Sequence, residues 1–495
     1  MKLLFSRSAY FVYFIVVIFL IGGFFLINGS MKSRNENNNL VCRDCNVILI
    51  SVDTLRADHV GAYGYPRNTT PNLDNFAKNA IIFTNVFSQT SWTLPSHATI
   101  FTSLYPAQHK VLNEYNETVY DSLNASTVTL AKVMRDSGYK TAAFVGDIYV
   151  GPKFGFGNGF ENYFSYDSNV QIESSMHDAY GYSEYIETGG TFNRTLSQGI
   201  KWIDENRNEK FFVFLHGYDV HAPYLRKDIS DTSFYSNYSG PLKDVLFTYR
   251  ELNSIQKVDD HYEIRVDANF SGNTGKKTVK FNDSDLGYII SRYDAGVFSA
   301  DTALGNLFSY LKSKNLLEKT IVVVVSDHGE NLFEKGLWSH RNVYDSVLQV
   351  VMMIHIPNRS PAAVSSMAGL IDVMPTILDL VNVSIPSEAN LAGKNLVPAI
   401  ANGKEVNNFV FADSNFLAKA LVVRSDTYKL IFRPANNTFE LYNWRTDPHE
   451  TLNIYGRNAT RDEELKFALF SFINETNTNA IQKLMSQSYV GEVQE

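Results

Sequence analysis

Two apolar segments of the chain each end directly at side chains that bind metal ions. The segment NVILISV, residues 46–52, precedes Asp53, and TIVVVVS, residues 320–326, precedes Asp327 and His328. Nearly continuous Val, Ile and Leu residues predict parallel strands that are buried on both faces. Ligands of open α/β sheets bind just beyond the carboxyl ends of such strands. We therefore expect these carboxylates and the imidazole to share one crevice, where together they predict a metal site.

Other apolar segments predict the strands that would complete the sheet carrying this crevice. They are TAAFV before Gly146, KFFVFL before His216 and QVVMMIHI before Pro357. Segments with helical spacing, such as STVTLAKVMRDSG and DTALGNLFSYLKSKN, lie between them. Strands that alternate with helices are typical of a doubly wound α/β fold, so we expect a mostly parallel sheet.

Two parts of the chain depart from this alternation. Within an insertion at about residues 225–285, HYEIRVDANF and KKTVKF flank SGNTG and predict an antiparallel hairpin over the site or at its rim. Near the carboxyl terminus, FVFAD, KALVVRS, TYKLIFR and TFELYNW predict short strands, followed by a helix from about Arg461 to Met485. The sequence thus predicts a catalytic domain at residues 46–404 and a C-terminal α+β subdomain, an antiparallel sheet with a covering helix, at residues 405–495.

The first 30 residues predict a membrane anchor. No charged residue occurs between Ser8 and Met31, and a bilayer-spanning helix needs about 20 apolar residues. Because this segment exceeds the usual apolar region of a signal peptide and no A-x-A-like cleavage site follows, we favour a retained signal anchor over a cleaved signal. Residues 31–45 would form a polar linker. Basic residues flank the span almost equally, so the positive-inside rule leaves its orientation undecided.

Sequons and cysteines bear on the compartment of the protein. Asn-x-Ser/Thr sequons suit a translocated surface if the host glycosylates, but chance in an Asn-rich chain explains them equally well. Cys42 and Cys45 are the only cysteines, so a zinc site is not expected, and a local disulfide or two free thiols remain. We expect a single-pass membrane protein with an extracytoplasmic catalytic domain. The sequon asparagines are Asn68, Asn116, Asn124, Asn193, Asn237, Asn269, Asn282, Asn382, Asn436, Asn458 and Asn474.

The gross composition permits a large soluble domain attached to that anchor. With 495 residues, of which 44% are hydrophobic, the chain can form one large α/β core and a smaller subdomain. The formal net charge of -8 gives no electrostatic reason to expect a nucleic-acid partner.

The order of the motifs resembles that of the sulfatase branch of the alkaline phosphatase superfamily. NVILISVDTLRADHVGAYGY and TTPNLDNFA resemble the first strand, the metal Asp and the segment that follows. FFVFLHGYDVHAPY resembles the segment with an active-site His, and the stretch ending in IVVVVSDHGE resembles the second metal cluster. IDVMPTILDLVNVSIP and ELYNWRTDPHETLN resemble the closing signatures, so the likeness extends from Asn46 to Asn453. It implies an ester hydrolase or a phosphoryl-group transferase.

The segment TLPSHATIFTSLYP departs from that family at the nucleophile. Sulfatases carry a Cys or Ser two residues before this Pro, and its oxidation produces formylglycine. This chain has Thr93 there, and His97 where the family has Arg. Threonine is not known as a formylglycine precursor, so formylglycine is not expected; phosphoryl-transferring relatives use a metal-bound Thr alkoxide. The alternative role of Thr93, capping the helix that begins here, is compatible with catalysis because a helix amino terminus favours an anion.

The resemblance implies one divalent metal ion, with Ca, Mn, Mg and Zn undecided. The metal would hold the hydroxyl as an alkoxide and neutralise the oxygens of the ester. Thr54 replaces the second acid of many sulfatases, which favours a single-metal site. The predicted metal ligands are Asp53, Thr93, Asp327 and His328.

Several histidines receive roles from the same resemblance. His221 resembles the histidine at the leaving group, and His340 stands where many sulfatases place a Lys; either imidazole can donate a proton to the leaving oxygen. His97 and His216 are predicted to bind the substrate, although His216 also suits a structural role. Asp219 would either orient His221 or bind a second metal.

These residues predict a membrane-anchored, metal-dependent hydrolase or transferase that uses Thr93 on phosphate-type esters. The alternative is a sulfuric ester hydrolase acting on sulfated glycans or aryl sulfates, which is chemically harder because a sulfated threonine does not readily release sulfate. An inactive binding protein on the same fold is a third reading, which the full set of site residues disfavours. The substrate is expected to be an anionic ester of a lipid, glycan or small molecule.

Overall fold

The computed structural model describes residues 40–112, 121–146, 148–165, 191–224, 234, 238–243, 245, 247–267, 276–414 and 420–476. The predicted membrane anchor at residues 1–30 and most of the predicted linker lie outside this range. Within it, no helix combines the length and the apolar character that crossing a membrane requires.

The described residues contain nineteen strands and eleven α-helices. The strands are β1 (Asn46–Val52), β2 (Ile81–Phe83), β3 (Val86–Phe87), β4 (Lys140–Val145), β5 (Asn162–Ser165), β6 (Phe211–Gly217), β7 (Gln256–Val258), β8 (His261–Asp267), β9 (Lys276–Phe281), β10 (Thr320–Val325), β11 (Asn331–Leu332), β12 (Trp338–Ser339), β13 (Met352–His355), β14 (Ala362–Val364), β15 (Ala368–Gly369), β16 (Val410–Ser414), β17 (Ala420–Arg424), β18 (Tyr428–Arg433) and β19 (Thr438–Asn443). The helices are α1 (Pro71–Ala77), α2 (Thr93–Thr102), α3 (Pro106–His109), α4 (Leu130–Asp136), α5 (Thr191–Asn206), α6 (Tyr249–Asn253), α7 (Asp283–Ser313), α8 (Asp345–Leu348), α9 (Val373–Leu380), α10 (Val397–Asn402) and α11 (Ala459–Thr476).

An eight-stranded sheet forms the centre of the molecule, in the order β14-β2-β13-β10-β1-β6-β4-β5. Strands β10, β1, β6, β4 and β5 are mutually parallel, as the apolar segments predict. Every residue of β1, β6 and β10 is buried, because helices cover both faces of the sheet. The doubly wound fold class is confirmed.

One predicted strand runs in the opposite direction. QVVMMIHI supplies β13, which pairs antiparallel with β10. The chain between them turns back through β11, β12 and α8 without a helix crossing a face of the sheet. The chain therefore re-enters the sheet at the edge where β10 ends, so β13 runs antiparallel to β10.

Two hydrophobic cores lie on opposite faces of the sheet. On one face, α5 and α7 pack with side chains such as Leu215, Ile289 and Leu304. On the other face, α2 and α9 pack with side chains such as Leu94 and Met374. Helices on both faces hold the central strands rigidly, so the loops at their carboxyl ends start from fixed positions.

The predicted insertion forms a three-stranded antiparallel sheet, β7-β8-β9. Its predicted hairpin corresponds to β8 and β9. The ring of Tyr262 meets Phe333 edge-on, with the ring centroids 5.0 Å apart, and the ring of Phe333 lies tilted against Trp338, 5.5 Å between centroids. The insertion thus packs against the loop that precedes His340.

A second, antiparallel sheet, β16-β17-β18-β19, lies near the carboxyl terminus. Helix α11 covers one face of it through Leu465, Leu469 and Ile473. The other face packs on Val343, before α8, and on Leu348, the last residue of α8. This sheet and its helix agree with the predicted fold class.

A buried ionic cluster connects this second sheet to the central domain. The carboxylate of Asp345 pairs with Arg424 and, at 2.8 Å, with Lys429, which also lies 2.6 Å from Glu450. The Arg424 guanidinium lies over the ring of Trp444, 4.2 Å from its centroid. Burial disfavours the charge of Asp345, but the two cations hold the pKa of its carboxyl below the usual value. The cluster fixes the orientation of α8 relative to the second sheet.

We expect the Asp345→Ala variant to lose about 3–5 kcal/mol of unfolding free energy, because Arg424 and Lys429 would remain buried without their shared partner. Guanidinium unfolding followed by tryptophan fluorescence measures this loss, with Trp444 close to the change. The matched control is Asp136→Ala, which removes an exposed pair with Lys132 and should cost less than about 1 kcal/mol. Equal losses in the two variants would show that the cluster has no special role.

Candidate metal centre and active site

The sheet register brings the predicted metal residues to one edge. β1 pairs with β10 so that Ser51 lies beside Val325, and with β6 so that Val52 lies beside Gly217. Asp53 follows β1 and donates its backbone N–H to the carbonyl of Gly217, 2.9 Å away. Asp327 follows β10 by two residues, so both carboxylates leave the same carboxyl edge.

Asp53, Asp327 and His328 form the predicted cluster. One ligand atom from each lies within 4.8 Å of the others, and all three side chains are buried. His328 Nε2 lies 3.4 Å from Asp327 Oδ2. The arrangement matches the ligand types of a site for a divalent cation.

Thr93 completes this cluster as the first residue of α2. Its hydroxyl donates to Asp53 Oδ2 at 3.1 Å and lies 3.4 Å from His328 Nε2. Trp92, and not Thr93, occupies the N-cap position of α2. The hydroxyl of Thr93 therefore faces the metal cluster. Thr93 does not cap the helix, which was the alternative role considered from the sequence.

The donor set fits a cation. His328 Nδ1 lies 2.9 Å from the carbonyl of Gly329, so Nδ1 carries the hydrogen and the lone pair of Nε2 points towards Asp327. Burial lowers the pKa of His328 to about 3 and raises the pKa of Asp327 to about 6. Asp327 Oδ2 finds no hydrogen-bond donor in the described part of the chain. The lone pair of His328 Nε2 and the buried oxygen of Asp327 repel each other, and a cation between them would stabilise both.

The turn after β1 is held in an unusual conformation. Thr54 has φ of 54°, which is rare for a β-branched residue. Its backbone N–H donates to Asp327 Oδ1 at 3.2 Å, and its carbonyl accepts from the Tyr293 hydroxyl at 2.7 Å. Tyr293 belongs to α7 and also accepts the N–H of Arg56. Contacts from two other elements thus maintain the strained turn and fix the position of Asp53.

His221 and His340 lie together beside the cluster. Their ring centroids are 5.3 Å apart, and His340 lies 4.5 Å from the ring of His328. His221 is partly exposed and stacks on Tyr218, so it lies towards the opening. Its Nδ1 lies 2.6 Å from the carbonyl of Ala222, which leaves Nε2 for a substrate. Burial, reinforced by the charge of His340, lowers the pKa of His221 to about 3.

Glu330 is a site residue that the sequence analysis missed. Its Oε1 lies 3.2 Å from Nδ1 of His340, and its side chain is fully buried. Burial raises the pKa of Glu330 to about 7. A carboxylate on one ring nitrogen fixes the tautomer and orientation of an imidazole, as in Ser-His-Asp triads. The position of Glu330 directly after Asp327-His328-Gly329 could have indicated a role in the site. Its partner His340 lies ten residues further along the chain, so the pair was not evident.

The structure gives His97 and His216 positions beneath the cluster. His97 contacts the carbonyl of Thr93 through Nδ1 at 2.8 Å and the Ser51 hydroxyl through Nε2 at 3.0 Å. His216 Nε2 lies 3.5 Å from Asp53 Oδ2. Both rings are fully buried, and burial lowers the pKa of each. In these positions the two rings contact Thr93 and Asp53 and help to hold them in place. The predicted contact of either ring with substrate stays a prediction.

Asp219 makes a backbone contact at the start of α5, and its predicted role beside His221 stays a prediction. Its Oδ2 accepts the backbone N–H of Phe192, in the first turn of α5, at 2.8 Å. Asp219 does not belong to the group of candidate metal ligands among the described residues. The side chain therefore anchors the start of α5 to the loop that carries His221.

Comparisons with known proteins place these features in one family. The family model "Sulfatase" matches residues 45–383, and the model "N-sulphoglucosamine sulphohydrolase, C-terminal" matches residues 333–477. Arylsulfatase K of Xenopus laevis is 22% identical over 83% of this chain and 79% of its own length. N-acetylglucosamine-6-O-sulfatase of Bacteroides thetaiotaomicron is 22% identical over 83% of each chain.

Solved structures share the fold. One is a protein in complex with its substrate D-glucosamine-2-N,6-O-disulfate, with a TM-score of 0.67, 18% identity and coverage of 88% of this chain and 98% of that chain. Another is the phosphonate monoester hydrolase of Agrobacterium radiobacter, with a TM-score of 0.64, 19% identity and coverage of 88% and 96%. At these sequence identities the structural similarity shows that the chain shares the α/β fold of these proteins.

We expect the purified protein to contain about one divalent ion per chain and the Asp327→Asn variant to lose it, because the variant removes a negative ligand from the cluster. Elemental analysis after dialysis measures the content, and a chelator should lower the unfolding temperature of the wild type alone. Asp136→Asn, on the exposed surface of α4, is the control and should keep the ion. Equal, substoichiometric metal in wild type and Asp327→Asn would rule out the site.

Proposed function

Because this chain belongs to the sulfatase family, we propose that it is a metal-dependent hydrolase of sulfate esters carried by a sugar or aryl group. The observation that carries this proposal is the buried cluster of Asp53, Asp327 and His328, which faces the hydroxyl of Thr93. An active enzyme needs all of these groups together, whereas a binding protein that had lost catalysis would not need them.

The comparisons support the sulfate-ester alternative better than the phosphate-type reaction that the sequence analysis favoured. Both relatives named above are sulfatases, and one structural neighbour holds a sulfated glucosamine. A sulfated glycan is therefore the leading substrate class. The ester's negative charge would suit a site made of a cation and the amino terminus of α2.

The proposed chemistry begins at Thr93. A bound metal would supply positive charge that stabilises the alkoxide of Thr93 and the non-bridging oxygens of the ester. Oγ1 of Thr93 attacks the sulfur, and the bond from sulfur to the leaving alcohol oxygen breaks. Water then attacks the sulfur of the sulfated threonine, which releases sulfate and restores the hydroxyl.

Proton transfer to the leaving alcohol is assigned to His340. Glu330 accepts from Nδ1 of His340, so Nε2 is the atom that meets the leaving oxygen. His221 lies nearer the opening and is neutral near pH 7, so its Nε2 is suited to bind a substrate hydroxyl. In this arrangement His340 and Glu330 act as a pair where many sulfatases use a single Lys.

A second candidate reaction is hydrolysis of a phosphate or phosphonate ester. Thr93 itself favours it, because an unmodified hydroxyl lacks the second hydroxyl with which hydrated formylglycine expels sulfate. Phosphonate monoester hydrolases also occur among the structural neighbours. A phosphorylated threonine is resolved by in-line attack of water, so the same residues would serve both reactions.

We further propose that the catalytic domain lies outside the cytoplasm, attached through the uncharged segment between Ser8 and Met31. That segment lies outside the described residues. The described part contributes one supporting feature, since Cys42 and Cys45 are joined in a disulfide. Disulfides persist mainly in oxidising compartments. Extraction of native membranes with carbonate tests the anchor, because an anchored chain stays in the pellet and a cleaved product does not.

We expect the metal-loaded protein to hydrolyse 4-nitrophenyl sulfate and N-acetylglucosamine 6-sulfate with higher kcat/KM than 4-nitrophenyl phosphate or a phosphonate monoester. Thr93→Ala should lower kcat by about 10³-fold or more, because the nucleophile is lost. Thr93→Ser keeps the hydroxyl and, produced in a host without a formylglycine-generating enzyme, is the matched control that should retain most of the activity. Mass spectrometry of rapidly quenched wild type should detect sulfate on Thr93.

Each other outcome of this assay has a definite meaning. Faster turnover of a phosphorus ester, with phosphate on Thr93, would establish the second candidate. Full metal content without turnover of any ester would identify an inactive binding protein.

The pair of Glu330 and His340 predicts a dependence on the leaving group. Glu330→Gln should lower kcat/KM by about 10–100-fold for alkyl sulfates, whose leaving oxygen needs a proton, and by much less for 4-nitrophenyl sulfate. The exposed Glu388→Gln is the control and should behave as wild type. A uniform loss across both substrate classes would instead assign Glu330 a purely structural role.

A further inference from the structure

The described sequons occupy accessible positions in every part of the fold. Beyond the eleven identified above, Asn28 and Asn358 begin the same Asn-x-Ser/Thr triplet, which makes thirteen. Nine of them lie in the described ranges, and each of these asparagines is exposed. The nine are Asn68, Asn124, Asn193, Asn282, Asn358, Asn382, Asn436, Asn458 and Asn474.

The amide nitrogens of these nine residues are available for reaction. Within the described ranges, none of them donates Nδ2 to another protein group, whereas many other asparagines do. In three sequons the hydroxyl of the third residue instead donates to Oδ1 of the asparagine: Ser126 to Asn124, Ser284 to Asn282 and Thr438 to Asn436. Asparagines outside sequons that donate Nδ2 are Asn46, Asn72, Asn85, Asn158, Asn206, Asn331, Asn395, Asn407 and Asn453.

Sequons are also more frequent than the composition alone produces. The chain has 45 Asn, 42 Ser and 29 Thr residues among 495. If these were placed at random, about six asparagines would have Ser or Thr two positions later. The chain has thirteen, about twice that number. The Asn-rich composition therefore accounts for about half of the sequons.

We propose that the exposed sequon asparagines are sites of N-glycosylation in the cell that naturally makes this protein. The donor would be an oligosaccharide linked to a lipid phosphate. A bond forms between Nδ2 of asparagine and C1 of the first sugar, while the bond from C1 to the phosphate oxygen breaks. Nδ2 loses one proton, and the lipid phosphate leaves with the bonding electrons, so no oxidant or reductant is required.

The distribution of the sites fits a domain that is glycosylated on its outer surface while its centre stays accessible. Asn68 lies three residues before α1, Asn282 is the N-cap of α7, Asn382 follows α9, and Asn436 lies in the β18–β19 hairpin. None of the nine belongs to the metal cluster or contacts it through a hydrogen bond in the described residues. Glycans at these positions would add bulk and solubility to the surface.

The test is mass spectrometry of the full chain purified from its natural source. The intact mass should exceed the 55.9 kDa of the sequence by several glycan units, and peptides should carry glycans on the described sequon asparagines. Ser384→Ala and Thr460→Ala each keep the asparagine and destroy the sequon, so each should remove the glycan at Asn382 or Asn458 alone. Both hydroxyl residues are exposed, so the variants are expected to fold normally.

The matched control is Ser387→Ala, an exposed serine three residues from Ser384 that belongs to no sequon. It should leave every glycan in place. Recovery of all nine peptides without modification would falsify the proposal. A glycan that persists at Asn382 in the Ser384→Ala variant would also overturn it, since attachment would then not depend on the sequon.

Discussion

The active-site end of the sheet is built around one constraint: its buried carboxylates and the lone pair of its imidazole repel each other unless a positive charge lies between them. Two buried carboxylates, the lone pair of a neutral imidazole and a hydroxyl lie within a few ångströms at the carboxyl edge of the sheet. Burial raises the pKa of Asp327 and lowers the pKa of His328, because burial disfavours the charged form of each group. A cation bound there would satisfy the carboxylates and the imidazole together, and under the proposed mechanism it would also stabilise the alkoxide of Thr93.

The scaffold maintains this arrangement through rigid elements on every side. The register of β1 against β10 and β6 sets the distance between the two carboxylates, and both strands are buried on both faces. Tyr293 from α7 holds the strained turn at Thr54, and α2 presents Thr93 at its amino end. His97 and His216 occupy the space beneath, where their neutral rings separate the ligands from the apolar core. A site assembled from five elements therefore behaves as one unit.

Under the proposed mechanism the same framework would serve sulfate or phosphorus esters, and the identity of the nucleophile would determine which reaction is easier. The comparisons connect the chain to sulfatases, whereas Thr93 lacks the chemistry by which formylglycine releases sulfate. The contact between Glu330 and His340 orients the imidazole at the position where the sulfatase resemblance would place a Lys. Substrate choice thus rests on a small number of side chains within a common fold.

The sequence by itself determined the central strands, the fold class, the family and the three residues of the metal cluster, because long apolar segments that end in acids leave few arrangements of an α/β sheet. Only the tertiary structure decided the direction of β13, the role of Asp219 at the start of α5, and the contact between Glu330 and His340. It also decided that Cys42 and Cys45 pair. These features depend on how loops fold back in space. Local sequence patterns describe periodicity along one element, and they do not encode which side chains of different loops meet.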